Sequence, residues 1–179
     1  MIIYLAGPDV FHPKAIELGE LKKEICKQYG FDAIFPTDDV DDSVWSLDKI
    51  SQGRVIRQAC IDSMLKADCV VANMTPFRGA GMDGGTAFEM GFMDALNKPV
   101  FAYTHNPYLY ITKVLEKNNL NDDEIYVDKD NYIVENFNAI DNCMMVHTVL
   151  KYMDHIPCAK TDDFFDLSGL IKALEMIKK

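Results

Sequence analysis

Two carboxylates, Asp83 and Glu89, stand six residues apart at the end of a glycine cluster that reads Gly79-Ala80-Gly81-Met82-Asp83-Gly84-Gly85-Thr86-Ala87-Phe88-Glu89. Four of the ten glycines fall within 79–85. Such a loop lets main chain come close to a ligand, because glycine has no Cβ and tolerates positive φ. A pair of carboxylates beside a sugar could divide nucleophilic and acid–base work. Glu89 is expected in the first turn of a helix, where the helix dipole favours the ionised form that a nucleophile needs. The same four residues, Thr86 to Glu89, also spell a T-x-x-E capping box, in which the glutamate would only bind back to its own backbone. Asp83 alone reads equally well as a loop residue holding nearby amides.

The elements that must position these residues alternate between strand and helix. Ile2 to Ala6 is a short apolar run that stops at Gly7-Pro8, which predicts a buried strand. Leu18, Leu21, Ile25 and Tyr29 recur at helical spacing from about Lys14, with Gly30 as the stop. Phe31 to Phe35 is a second strand. An acidic loop from Thr37 to about Asp48 carries the single tryptophan, Trp45. A helix is expected from about Gln52 to Lys66, a third strand over Cys69 to Met74, a helix from about Ala87 to Leu96, and a fourth strand over Pro99 to Tyr103. Asn106 to Glu116 holds a short helix. Glu124 to Val127 or Tyr132 to Val134 supplies a fifth strand, and Asn142 to Tyr152 and Phe164 to Ile177 read as helices. The alternation predicts an α/β, flavodoxin-like three-layer fold: a parallel sheet of about five strands in the order 2-1-3-4-5, covered by helices on both faces. Ligands in such sheets bind beyond the carboxyl ends of the strands, here loops 7–12, 36–50 and 75–86.

Composition narrows the partners. A length of 179 residues suits one domain over 1–179. The net charge of −10 disfavours nucleic acid and anionic membrane. Five cysteines without close pairs fit reduced thiols and a cytoplasmic setting. No basic leader precedes the first apolar run, so no export signal is expected. The histidines and cysteines lack metal-ligand spacing, so neither metal nor other cofactor is expected. Phe11, Trp45 and Phe77 lie in the mouth loops, where an aromatic ring could stack on a nucleobase or simply pack. Arg78 could brace the loop by pairing with a carboxylate. The runs Asp38-Asp39 with Asp41-Asp42, and Asn121 to Glu124, read as solvated loops.

Three segments together carry a resemblance. They are Ile3-Tyr4-Leu5-Ala6-Gly7-Pro8-Asp9-Val10-Phe11; then Ala72-Asn73-Met74-Thr75-Pro76-Phe77-Arg78-Gly79 followed by Asp83-Gly84-Gly85-Thr86-Ala87-Phe88-Glu89-Met90-Gly91-Phe92; and Asp141-Asn142 before an apolar run. In this order they resemble the nucleoside 2-deoxyribosyltransferase family, over roughly residues 2–145. The resemblance implies transfer of 2-deoxyribose between nucleobases in nucleotide salvage, by double displacement through a deoxyribosyl ester of Glu89. It implies that Asp83 works near the base or in proton transfer, and that Tyr4 bonds and positions the nucleophile. Gly7, Asp9, Phe11, Asp62, Phe77 and Gly85 are expected at the substrate. Asn142 is expected to reach a neighbouring subunit's site in a homo-oligomer. Relatives often carry an Asp or Asn on the helix before the third strand. Here that position is Cys60, with Asp62 two residues on, and about 200° of helical rotation keeps both from facing one site. Asp9 in the first loop would repel a phosphate, which favours deoxynucleosides over their 5′-monophosphates. Two alternatives stay open: a deoxynucleoside hydrolase with the same nucleophile, and a non-catalytic nucleoside-binding module.

Overall fold

A computed structural model of the chain describes residues 1–117, 120 and 124–178. Four parallel strands, β1 (Ile2–Ala6), β2 (Asp32–Ile34), β3 (Cys69–Asn73) and β4 (Val100–Tyr103), form one sheet in the order β2-β1-β3-β4. Tyr4 of β1 stands level with Ile34 on one side and Val70 on the other. Every residue of β3 and β4 is buried, as strands covered on both faces must be.

The connecting helices are α1 (Ala15–Gln28), α2 (Lys49–Lys66) and α3 (Gly84–Ala95), followed by α4 (Tyr110–Leu115), α5 (Cys143–Val149) and α6 (Ser168–Ile177). α1 and α6 pack together on one face, and α2, α3 and α5 cover the other. α6 lays Leu170, Ala173 and Leu174 against β3 and β4. Its apolar stripe therefore covers core. Lys98 donates to the carbonyls of Met64, Leu65 and Ala67, satisfying the C-terminal end of α2.

Three helices begin elsewhere than periodicity predicts, each because a side-chain carboxylate fixes the boundary. Asp48 accepts from the amides of Ile50 and Ser51, so α2 starts at Lys49 rather than about Gln52. Asp83 caps α3, which draws Gly84 and Gly85 into the first turn. Asp163 and Asp166 accept from the amides of Phe165, Thr161 and Ser168, holding 161–167 out of helix and delaying α6 to Ser168.

The expected fifth strand does not join the sheet. Beyond β4, among the described residues, the chain makes a single parallel bridge, Thr104 with Cys158. The candidate segments instead pair with each other through an antiparallel bridge between Val127 and Ile133. Residues 121–123 of the second acidic run lie outside the described residues. Among the described residues, no helix is long and apolar enough to cross a membrane.

Candidate active site

The carboxyl ends of β1 and β2 and the start of α3 enclose a cavity of about 700 Å³. Its walls come from the loops after β1 and β2 and from the segment 83–89, with α1 contributing Ile16 and α2 contributing Ile56 and Cys60. Gly7 lines it at the end of β1. A Cβ there would collide with the Asp9 carboxylate and lie 2.8 Å from Asn73 Cβ. Only glycine lets the chain turn so close to these buried groups. The following 3-10 turn, Pro8–Phe11, brings Val10 and Phe11 to the cavity.

Glu89 lines the cavity from the second turn of α3 rather than the first. The capping box reading does not hold. The N-cap is Asp83, whose Oδ2 accepts from the Thr86 amide at 2.9 Å and its hydroxyl at 3.0 Å. Thr86 is thereby inside the helix, and Glu89 is released from any capping duty. Its Oε1 accepts instead from the Tyr4 hydroxyl at 2.6 Å, across 85 residues of chain. Burial pushes the Glu89 carboxyl up to about 7. The Tyr4 hydrogen bond opposes that rise, and neighbouring Asp83 adds to it. Tyr4 is fully buried in β1. Burial first, and Glu89 second, push its ionisation far above the ordinary phenol range. The phenol therefore stays protonated and remains a donor.

Cys60 faces Glu89, and Asp62 does not. Cys60 lines the cavity, with its Sγ 4.0 Å from the Pro36 carbonyl. Asp62 is exposed and accepts from Gln58 one turn back on the outer side of α2. Burial raises the Cys60 thiol pKa, so it is neutral near pH 7. A smaller hollow of about 310 Å³, between Arg57, Met64 and Phe88, reaches Glu89 from its other side.

Asp9 is a correction. It is 1% exposed and does not line the cavity. It forms a buried ion pair with Lys22 of α1, and the Asn73 amide donates to both of its oxygens at 3.2 Å. A buried lysine requires a counter-charge, and Asp9 supplies it. Its charge is spent there, so it cannot act on a phosphate in the cavity. Phe77 is likewise behind the wall. It stacks on cavity-lining Phe11 with centroids 5.1 Å apart, and Arg78 lies over both rings rather than beside a carboxylate. Arg78 reaches that position with φ 57.

Asn142 does not line this chain's own cavity. It caps α5 by accepting from Met144, and donates to Glu135 at 2.6 Å. Its neighbour Asp141 is buried and accepts from the Met82 amide, so this segment anchors the glycine loop.

The acidic loop is not merely solvated. Asp38 joins Lys23 and the Phe35 amide, Asp39 joins Lys66 and Ser63, and Asp41 caps a 3-10 turn over Asp42–Ser46. The loop is thus held against α1 and α2, presenting Trp45 and Asp42 to the cavity. Lys22 and the bracing aspartates escape sequence reading, because their partners are remote in the chain. Among the described residues, no group of three or more His, Cys, Asp and Glu could hold a metal ion.

A family model described as nucleoside 2-deoxyribosyltransferase matches residues 3–144. An uncharacterized protein of Schizosaccharomyces pombe is 37% identical over 117 residues, which is 63% of this chain and 54% of that protein. The chain thus spans about half the length of this curated relative. A solved structure described as 2-desoxiribosyltransferase from Leishmania mexicana aligns at TM-score 0.67 and 25% identity, covering 97% of both chains. A conserved protein from Enterococcus faecalis V583 aligns at TM-score 0.51 and 18% identity, covering 99% of this chain and 98% of that one, which speaks to the fold alone. The matched span runs from the first strand through the glycine loop to Asn142 and beyond, and on it the chain belongs to the nucleoside 2-deoxyribosyltransferase family.

Proposed function

We propose that this chain transfers 2-deoxyribose between nucleobases, with Glu89 as nucleophile. The observation that carries the reading is the part-buried Tyr4–Glu89 hydrogen bond in the wall of a cavity large enough for a nucleoside. Glu89 attacks the anomeric carbon as the bond to the first base breaks. An ester forms, and the base leaves with the bonding electrons and takes up a proton. A second base then attacks the same anomeric carbon, loses its proton and expels the Glu89 carboxylate, so two inversions retain the configuration. Tyr4 fixes which carboxylate oxygen is free to attack. Asp83 holds the start of α3 through Thr86, and its second oxygen remains available beside the sugar and base. Phe11 and Trp45, 52% and 61% exposed at the mouth, offer faces for stacking.

The cavity lining supports deoxynucleosides over their 5′-monophosphates. Among the described residues it contains Asp38, Asp42, Asp83 and Glu89 and no Lys, Arg or His. A phosphate dianion entering there would meet like charge without a partner.

Incubation with thymidine or deoxycytidine as donor and adenine as acceptor tests the reading. Transfer predicts deoxyadenosine. Release of free base without deoxyadenosine would identify a hydrolase, and ligand binding without consumption would identify a binding module. A deoxynucleoside 5′-monophosphate should be turned over more slowly than its nucleoside.

A further inference from the structure

Asp141 spends both of its carboxylate oxygens on main chain from two segments. Its Oδ2 accepts from the Met82 amide at 2.8 Å, 59 residues back in the chain, and its Oδ1 accepts from the Asn142 amide at 2.8 Å. The residue is 4% exposed. Met82 directly precedes Asp83, the N-cap of α3 and part of the cavity wall. Asp141 therefore grips the chain one residue, about 3.8 Å along the trace, from a carboxylate of the site.

The loop it grips has a shape of its own. The Phe77 amide donates to the Gly81 carbonyl at 3.0 Å, and Pro76 and Met82 form an antiparallel bridge. Arg78 lies over Phe11 and Phe77. Bonds within a loop fix its shape and not its place against the helices. Asp141 ties the exit of the loop to the start of α5. A buried carboxylate needs donors and a counter-charge. The two amides are the donors. Lys113 of α4 supplies the charge: burial lowers its pKa, Asp141 opposes that fall, and its ammonium donates to the Ile140 carbonyl at 2.6 Å. Tyr110 also feels the Asp141 charge, together with that of Glu135.

We propose that Asp141 is a positioning residue for the reaction: by fixing the Met82 amide it sets where Asp83 stands relative to Glu89. This rests on the proposed function, which makes Glu89 the nucleophile. A misplacement of about 1 Å at a reacting centre can cost about a hundredfold in rate, so a loosened loop exit reaches the chemistry without touching substrate.

Asp141→Asn keeps the shape of the side chain, leaves one acceptor oxygen for two amides and turns an NH2 group toward the other. Its kcat should fall at least tenfold, and amide hydrogen exchange across 79–83 should quicken at least tenfold. The pH limb of kcat/KM should move down, because Asp83 no longer stands firmly enough beside Glu89 to help raise its carboxyl. Tyr4 and Cys60 at Glu89, and Arg57 in the smaller hollow, are untouched by the substitution. Adding Lys113→Met removes the buried charge that Asp141→Asn leaves unpaired. The double variant should regain urea stability without regaining the rate or the limb. Asp166→Asn, another capping carboxylate but off the cavity wall, should cost stability and leave both kinetic readouts in place. Wild-type kcat or exchange in Asp141→Asn would overturn the proposal. So would a rate loss with the limb unmoved, as misplacement of Asn142 alone would give, or a double variant that regains rate along with stability. Exchange needs no turnover. Were wild type inactive, the proposed function would fall, while quickened exchange with weakened deoxynucleoside binding in Asp141→Asn would still uphold Asp141 as the residue that sets the loop, and unchanged exchange would overturn it.

Discussion

Glu89 must be ionised to attack, yet it sits where ionisation is costly. Burial lifts its carboxyl from an ordinary 4.5 to about 7, against the pull of the Tyr4 hydrogen bond. The proposed chemistry therefore predicts a kcat/KM that climbs with pH through about 7. Tyr4→Phe should move that limb to higher pH and lower the rate at neutrality by tenfold or more, because the opposing hydrogen bond is gone. The same shift carries a stability consequence. Folded protein keeps the Glu89 proton to higher pH than unfolded chain does. Stability from this group is therefore full below about 4.5 and is lost as pH rises through about 7, amounting to about 3 kcal/mol. Glu89→Gln has no such loss. It should unfold at higher urea than wild type at pH 8 and show no such advantage at pH 4, while failing to transfer deoxyribose. This residue was legible in the sequence as chemistry, through its glycine-rich setting and its motif. Its electrostatics were not, since the helix start was read three residues late and Tyr4 lies 85 residues away.

Among the elements, the 3-10 turn Pro8–Phe11 carries one wall of the cavity, and its anchor is the Asp9–Lys22 pair. Asn73 continues the buried polar path, accepting from the Thr75 amide and hydroxyl, and the Thr75 hydroxyl in turn accepts from the His105 amide. Burial lowers the Lys22 pKa, and the Asp9 charge opposes that fall. Removing one partner leaves the other charge buried and uncompensated. Lys22→Met is expected to cost about 3–5 kcal/mol in urea unfolding. Lys22→Met with Asp9→Leu should recover part of that loss. The four strands and the helical order were legible, because apolar runs and 3.6-residue periodicity are local signals. Helix starts shifted where Asp48, Asp83 and Asp166 exert control through capping, which hydrophobic periodicity does not record. The fifth strand failed for a different reason: Val127 and Ile133 are apolar enough for a sheet, but each found the other instead of β4.

At the scale of the whole molecule, the Asp141–Asn142 segment braces the glycine loop without lining the cavity of its own chain. Met144, Phe137, Tyr132 and Ile133 are exposed around it, between 62% and 75%. Family resemblance leads us to propose that Asn142 completes a neighbouring subunit's site. The variants Glu89→Ala and Asn142→Ala, each inactive alone, should then regain activity on mixing, as hybrid assemblies pair an intact Glu89 with an intact Asn142. Mixed variants that stay as inactive as their parents, in an assembly shown to exchange subunits, would mean that each chain works alone. Sequence patterning could place Asn142 before a helix, but an intermolecular role leaves no periodicity to read.

The central claim is a covalent bond between Glu89 and deoxyribose. A 2-fluoro-2-deoxy nucleoside slows both displacements, and the second can become slow enough for the ester to accumulate. Intact-protein mass spectrometry should then show one added fluorosugar per chain, and peptide mapping should locate it on Glu89. Addition of free adenine should discharge it. Catalytic transfer by wild type accompanied by a sugar adduct on any other residue would contradict the claim.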